Sequence, residues 1–213
     1  MTHPILYSFR RCPYAMRARL AVQSAGIACD LREIVLRDKA HEFLTASPKG
    51  TVPVVVTANT VIEESLDVMT WALGQNDPEG WLDMPQDGWN WIDRWDKAFK
   101  PQLDRTKYPN RYIGEDVSTY RNAADAHLAD LNGAIKGPFL FGPDPKIADF
   151  AMLPFVRQFA FIDKPQFDAR PWPKIHAWLD NFLASSRFEQ IMEKYPMWVQ
   201  GDPVTVFPTS AQT

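Results

Sequence analysis

The sequence contains only two cysteines, Cys12 and Cys29, which are too few to build a scaffold of disulfides. It has no long basic run, and its 23 basic residues against 26 acidic ones favour neither a nucleic acid nor a membrane surface as a partner. No apolar run approaches the length that spans a bilayer. The first residues lack the charged start and apolar core of a signal peptide, so we expect none. We therefore expect a globular protein of the reducing cytoplasm.

Several common catalytic patterns are also missing. The four histidines have no spacing typical of metal ligands, so we expect no metal. The sequence has no glycine-rich phosphate loop and no serine in a nucleophile-elbow motif. These absences leave a cysteine as the best candidate for chemistry.

Cys12 stands in the sequence Cys-Pro-Tyr-Ala, directly before an amphipathic helical pattern that Gly26 ends. Because Pro13 suits the first helical position, Cys12 is predicted at the helix N-terminus, where unpaired N–H groups and the helix dipole favour an anion. We expect this placement to lower the pKa of the thiol, and Arg10 and Arg11 to act in the same direction. The alternative is a small apolar core residue.

The motif lacks a second cysteine, because Ala15 occupies the fourth position. Cys12 therefore has no neighbour with which to form the internal disulfide of a dithiol redox centre. Its covalent chemistry must involve an outside thiol, as in a mixed disulfide.

The first 75 residues alternate between strand and helix patterns in the order β-α-β-α-β-β-α. That order predicts a small mixed sheet with helices on its faces, in which the first two strands are parallel. Pro53 belongs at a strand start or an edge, and Ser65 is a candidate N-cap for the third helix. The four predicted strands are Ile5–Phe9, Cys29–Val35, Val52–Val56 and Thr60–Glu63.

A change of composition follows the last of these elements. Residues 76–88 are polar and rich in helix breakers, which predicts a linker. The rest of the chain, 89–213, has helical periodicity and no convincing strand, so we expect an all-helical domain with an irregular tail from Gly201. The predicted helices are Trp89–Phe99, Val117–Lys136, Ile147–Phe159, Trp172–Ala184 and a short turn at Arg187–Lys194.

The order and spacing of five motifs resemble the glutathione transferase superfamily over nearly the whole chain. The cysteine makes the sequence most similar to its omega-like and glutaredoxin-2-like members. The resemblance implies a thioredoxin-like domain over 1–75, a helical domain over 89–213, and glutathione as substrate. It leaves a homodimer open, since the family is usually dimeric and glutaredoxin-2-like members are not. The motifs are Cys12–Ala15, Val52-Pro53, Glu64-Ser65, Phe139–Gly142 and Ile147–Phe150.

The same resemblance implies roles for individual residues. Cys12 would be the catalytic residue that faces the glutathione sulfur, and Pro53 would follow a cis peptide bond. The main chain of Val52 would pair with the cysteinyl part of glutathione. Glu64 and Ser65 would hold the γ-glutamyl group of glutathione. The Glu64 carboxylate would accept a hydrogen bond from the ligand α-ammonium, and Ser65 with the helix N-terminus would receive the ligand carboxylate.

Some of these roles have simpler alternatives. Lys39 would contact the glycyl end of glutathione or lie solvated on the surface, and Lys49 is a weaker candidate for the same contact. Glu64 and Ser65 would alternatively only stabilise their helix N-terminus.

An apolar co-substrate site is a further implication of the family. Tyr14, Trp89 and Trp95 are candidates to line such a site between the domains. Aromatic residues at helical spacing more often belong to a core, so the identity of the co-substrate stays open.

The leading hypothesis is a glutathione-dependent thiol transferase or reductase that acts through a Cys12–glutathione mixed disulfide. A second hypothesis is conjugation of glutathione to electrophiles, with Tyr7 or Ser8 donating a hydrogen bond to the glutathione thiolate. We favour the cysteine route, because a thiol is a weak hydrogen-bond donor. A third hypothesis is a non-catalytic protein that binds glutathione or another ligand.

Overall fold

The computed structural model describes residues 3–209, which form two compact units. One unit combines residues up to 82 with those from 185 onward, and the other contains residues 83–184. The sequence instead predicted that everything after residue 88 belongs to the helical domain. The difference arises because residues 185–209 pack against the first unit.

The first unit is built around a five-stranded mixed sheet in the order β4-β3-β1-β2-β5. β1 and β2 are parallel, and the other pairs are antiparallel. The predicted order β-α-β-α-β-β-α is confirmed. Its elements are β1 (Ile5–Ser8), α1 (Pro13–Ser24), β2 (Cys29–Glu33), α2 (His41–Ala46), β3 (Val54–Val56), β4 (Val61–Ile62) and α3 (Ser65–Gln75).

Helix α1 forms the centre of this unit and packs against α3. Every residue of α1 from Ala15 to Val22 is buried, including Arg17 and Arg19. The helix ends before Gly26, whose φ of +66° is the left-handed conformation that the sequence predicted.

The C-terminal segment contains a short helix close to the turn predicted at Arg187–Lys194, and its strand corrects the prediction of an irregular tail from Gly201. α10 (Ser186–Ile191) packs on α1, and β5 (Val206–Phe207) adds an antiparallel strand to the edge of β2. Between them, the Trp198 N–H donates to the Glu33 carbonyl at 2.9 Å. A two-residue strand has no alternating pattern to detect, so periodicity could not predict it.

The second unit is helical throughout its regular elements. α4 begins at Gln86, within the predicted linker, and a π-helical turn at Trp95–Phe99 joins it to α5 without a break. Trp95 stacks on Phe99 in the core of the unit, with ring centroids 4.0 Å apart. The helices are α4 (Gln86–Arg94), α5 (Lys100–Lys107), α6 (Val117–Ala134), α7 (Ile147–Ala160), α8 (Lys164–Asp168) and α9 (Pro173–Leu183), with a 3₁₀ turn at Pro109–Arg111.

Asp149, in the first turn of α7, is a buried carboxylate that joins three parts of the second unit. It accepts hydrogen bonds from the main-chain N–H groups of Leu140 and Lys146 and from the Trp178 indole, at 2.8–2.9 Å. Burial raises the pKa of Asp149 to about 6, although these hydrogen bonds act in the opposite direction.

No helix within residues 3–209 is long and apolar enough to cross a membrane.

Candidate active site

Cys12 lies where the sequence placed it, as the residue that precedes the first turn of α1. Pro13 occupies the first helical position, and the Cys12 carbonyl accepts the Met16 N–H at 2.9 Å. The Cys12 N–H donates to the Phe9 carbonyl at 3.0 Å, which closes the loop between β1 and α1. The side chain is half-buried, so the sulfur is accessible at a helix N-terminus.

The sulfur of Cys12 faces the segment that precedes β3. Its Sγ lies 3.9 Å from the carbonyl oxygen of Val52. The Val52–Pro53 peptide bond is cis, as predicted. Because β3 pairs with its neighbours only from Val54 onward, the main chain of Val52 lies beside the thiol and outside the strand ladder.

Glu64 and Ser65 lie at the N-terminus of α3, which begins one residue earlier than the predicted Ser65 N-cap implied. Glu64 is the N-cap residue, without a side-chain capping bond, whereas Ser65 is the first helical residue and is buried. The Ser65 hydroxyl accepts from Nη1 of the buried Arg17 at 3.4 Å. The exposed Glu64 carboxylate pairs with the Lys49 ammonium.

The two lysines named by the sequence analysis lie around one turn. Gly50, with φ +60°, closes this turn, and the Lys39 ammonium is so close that a Cβ on Gly50 would come within 3.0 Å of it. Lys39 is exposed and precedes α2. Lys49, one residue before Gly50, is the lysine that contacts Glu64. Sequence reasoning missed this pair, because no local pattern links residues 15 positions apart.

A layer of charged side chains lies beneath the Cys12 loop. The Arg19 guanidinium donates to the Arg10 carbonyl at 2.5 Å and to the Ser8 hydroxyl. The Glu33 carboxylate accepts the Arg10 N–H at 2.6 Å. Burial raises the pKa of Glu33 and lowers the pKa of Arg19 to about 10. Sequence reasoning missed this layer, because an arginine in a helical pattern is ordinarily interpreted as a surface residue.

The hydroxyl groups considered for the conjugation route are buried in the first unit. Tyr7 is 2% exposed, and its hydroxyl accepts from Arg32 at 2.6 Å. Ser8 is fully buried and accepts from Arg19. Both oxygens are therefore held by a guanidinium, whereas the Cys12 sulfur is partly accessible.

The three aromatic candidates for a co-substrate site belong to different units. Tyr14 is half-buried in the first unit, with the Arg17 guanidinium 5.7 Å from its ring centroid. Trp89 is half-buried in the second unit, on α4. Trp95 is fully buried in the core of the second unit, against Phe99.

Cys29 differs from Cys12 in its exposure and in its place in the fold. It is fully buried in β2, and burial raises the pKa of its thiol to about 12. Within residues 3–209, no three His, Cys, Asp or Glu side chains cluster in a way that could hold a metal ion.

Comparison with known proteins identifies the family. Residues 6–80 match the model of the glutathione S-transferase N-terminal domain, and residues 90–181 match that of the C-terminal domain. A probable glutathione S-transferase of rice (Oryza sativa subsp. japonica), DHAR2, chloroplastic, is 27% identical over 143 residues. That match covers 67% of this chain and 50% of the rice protein, so the chain spans half the length of that relative.

Two solved structures have the same fold. Glutathione transferase Omega 3C from Trametes versicolor superposes with a TM-score of 0.75 at 18% identity, over 88% of this chain and 83% of that one. A family member from Pseudomonas fluorescens pf-5, solved with two glutathione molecules bound, gives 0.76 at 18% identity, over 90% and 92%. The predicted combination of a thioredoxin-like domain and a helical domain is confirmed, and the chain belongs to the glutathione S-transferase family.

Proposed function

We propose that this protein is a glutathione-dependent thiol transferase that acts through a mixed disulfide between Cys12 and glutathione. The observation that carries the proposal is the position of the Cys12 sulfur, half-accessible at the N-terminus of α1 and 3.9 Å from the carbonyl of Val52. A helix N-terminus favours the thiolate, which is the nucleophilic form of cysteine. Similarity to omega transferases and to proteins named DHAR supports the same reading.

The reaction needs no oxidant beyond its substrate. The Cys12 thiolate attacks the glutathione sulfur of a disulfide R–S–S–G, so that the Cys12–SG bond forms and RS⁻ leaves and takes up a proton. The thiolate of a second glutathione then attacks the sulfur bound to Cys12, which releases oxidised glutathione and restores the Cys12 thiolate. The protein contributes an ionised thiol and a fixed orientation of the tripeptide.

Glutathione would be held along the surface that joins Cys12 to the start of α3. We assign its cysteinyl part to the main chain of Val52, and its γ-glutamyl group to Glu64 and Ser65. The cluster beside Gly50 supplies cations for the glycyl carboxylate. We assign this contact to Lys39, because Lys49 is already paired with Glu64. The glutathione-bound relative from Pseudomonas fluorescens supports glutathione as the ligand.

Intact mass spectrometry after incubation with oxidised glutathione tests the proposal. The wild-type protein should gain one glutathionyl unit, which reduced glutathione removes, and Cys12→Ser should gain none. Cys29→Ala is the matched control and should behave as wild type, because Cys29 is fully buried. A wild-type protein that gains no mass would overturn the covalent mechanism.

The same variants separate the proposal from its two rivals. If Cys12→Ser still conjugates glutathione to an electrophile, the hydroxyl route operates. If the wild-type protein binds glutathione in calorimetry but turns over neither a disulfide nor an electrophile, the protein is a binding module.

A further inference from the structure

Arg19 is a buried cation whose guanidinium lies beneath the loop that carries Cys12. It is seven residues after Cys12, about two helical turns along α1 and on the same face. Helical side chains lean toward the N-terminus, and the Arg19 guanidinium accordingly reaches the loop at Arg10 and Ser8. Only 1% of Arg19 is exposed.

The main chain of Arg10 is bonded by one cationic and one anionic side chain. Arg19 donates to its carbonyl at 2.5 Å, and the Glu33 carboxylate accepts its N–H at 2.6 Å. Both contacts act on the main chain two residues before Cys12, so they fix the loop that presents the thiol.

The charged groups that face the Arg19 guanidinium come from three parts of the first unit. They are Arg10 and Cys12 from the loop, Glu33 from β2, and Tyr195 from the C-terminal segment. Within residues 3–209 the buried Nε of Arg19 has no hydrogen-bond partner. Arg19 therefore brings a positive charge that its hydrogen bonds only partly satisfy.

We propose that Arg19 is a positioning residue for the thiol transfer proposed above: it fixes the Cys12 loop and stabilises the Cys12 thiolate by its charge. The inference rests on that proposed function. With a pKa of about 10, the guanidinium stays charged at neutral pH. The attraction between this charge and the Cys12 thiolate stabilises both charged groups. Salt screens it less than the charge of Arg11, because Arg19 is buried and Arg11 is exposed.

Glu33 gives the inference a test of sign. Its carboxylate contacts the same loop residue, Arg10, as Arg19 does but carries the opposite charge, so it disfavours the thiolate. Glu33→Gln keeps an oxygen that can accept the Arg10 N–H and removes the negative charge. If charge is the reason for the effect, removal of Arg19 and removal of the Glu33 charge must change the thiol in opposite directions.

The experiment measures the rate of Cys12 alkylation by iodoacetamide against pH, by intact mass and without glutathione. In Arg19→Met the midpoint of the pH profile should rise by about one unit, which makes alkylation about tenfold slower below that midpoint. Arg19→Lys, which keeps the charge, should stay closer to wild type, and Glu33→Gln should shift the midpoint down. Arg170→Met, which breaks an arginine–carboxylate pair with Asp125 in the second unit, is the matched control and should leave the profile unchanged.

Each outcome decides the inference. A role in folding alone would lower the stability of Arg19→Met in denaturant but leave the midpoint in place, and that result would overturn it. Midpoints that move in the same direction in Arg19→Met and Glu33→Gln would also overturn it. If Arg19→Met does not fold, Glu33→Gln still tests the sign of the charge effect, since a midpoint that does not fall would overturn the inference.

The alkylation measurement also separates the inference from the proposed function. If the wild-type protein forms no adduct with oxidised glutathione but its alkylation profile depends on Arg19 and Glu33, only the proposed transferase activity is refuted. If the protein forms the adduct but its alkylation profile is unchanged in the Arg19 and Glu33 variants, only the role of Arg19 is refuted.

Discussion

The ammonium of Lys49 is paired with the carboxylate of Glu64, the residue assigned to the α-ammonium of glutathione. This contact raises the pKa of Lys49, mainly through its hydrogen bond to Glu64. Both side chains are more than half exposed. In the free protein, an internal cation thus occupies the position that the ligand ammonium is proposed to take.

We expect Lys49→Met to tighten glutathione binding by about two- to threefold, because exposed ion pairs are weak and the ligand would no longer compete with the lysine. Titration calorimetry with S-methylglutathione, which avoids thiol chemistry, measures the change. Lys97→Met is the matched control, since Lys97 forms a similarly exposed pair with Asp93. Weaker binding by Lys49→Met would instead mean that Lys49 contacts the ligand itself.

The two cysteines should differ sharply in reactivity. At neutral pH, iodoacetamide should add one group to the folded protein and two to the unfolded protein, because Cys29 is buried with a pKa of about 12. Intact mass before and after denaturation measures both numbers. A Cys12→Ser variant that is still alkylated in the folded state would contradict this expectation.

Tyr7→Phe should lower the free energy of unfolding by about 1–2 kcal/mol, because it removes the acceptor of a part-buried Arg32 N–H group. The Arg32 guanidinium retains its position over Trp198, 4.1 Å from the ring centroid, which limits the loss. Urea denaturation measures the change. Formation of the Cys12 adduct should stay at the wild-type level, and its loss would contradict a purely structural role for the Tyr7 hydroxyl.

Stability should fall as the pH rises through the pKa of Asp149. The folded-state pKa, about 6, lies above the value of an unfolded aspartate, so the folded protein binds more protons between about pH 4 and 6. The contribution of Asp149 is complete below this window and decreases through it by about 3 kcal/mol.

Urea denaturation of wild type and Asp149→Asn across this window measures the effect. The variant should be less stable than wild type at low pH, because an amide replaces an acceptor of three hydrogen bonds. The difference between the two proteins should shrink as the pH rises. A difference that is the same at pH 4 and pH 6.5 would contradict the raised pKa.

The parts of the site that the sequence predicted are those fixed by local chemistry. Pro13 places Cys12 at a helix start, and Val52-Pro53 and Glu64-Ser65 are adjacent pairs with recognisable spacing. The missed parts depend on contacts between distant residues. Arg19 and Glu33 come together only because α1 and β2 both bring a side chain to the Arg10 main chain, and Lys49 reaches Glu64 across 15 positions of sequence.

The fold was predictable to a similar depth. Strand and helix order in the first 75 residues follows from periodicity, and so do the long helices of the second unit. The start of α4 at Gln86 was hidden, because its first turn includes Asp87 and Gly88, which are typical of a linker. The place of residues 185–209 depends on packing that no local pattern encodes.

The pairing of β5 with β2 makes the first unit discontinuous along the chain. As the polypeptide is synthesised, the β2 edge of the sheet emerges long before Val206 and Phe207, and the whole helical unit is made in between. Until then β2 presents unpaired main-chain groups of the kind that recruit strands from other chains. Protein truncated before Val206 should therefore aggregate more readily, even where Cys12 and its surroundings are intact.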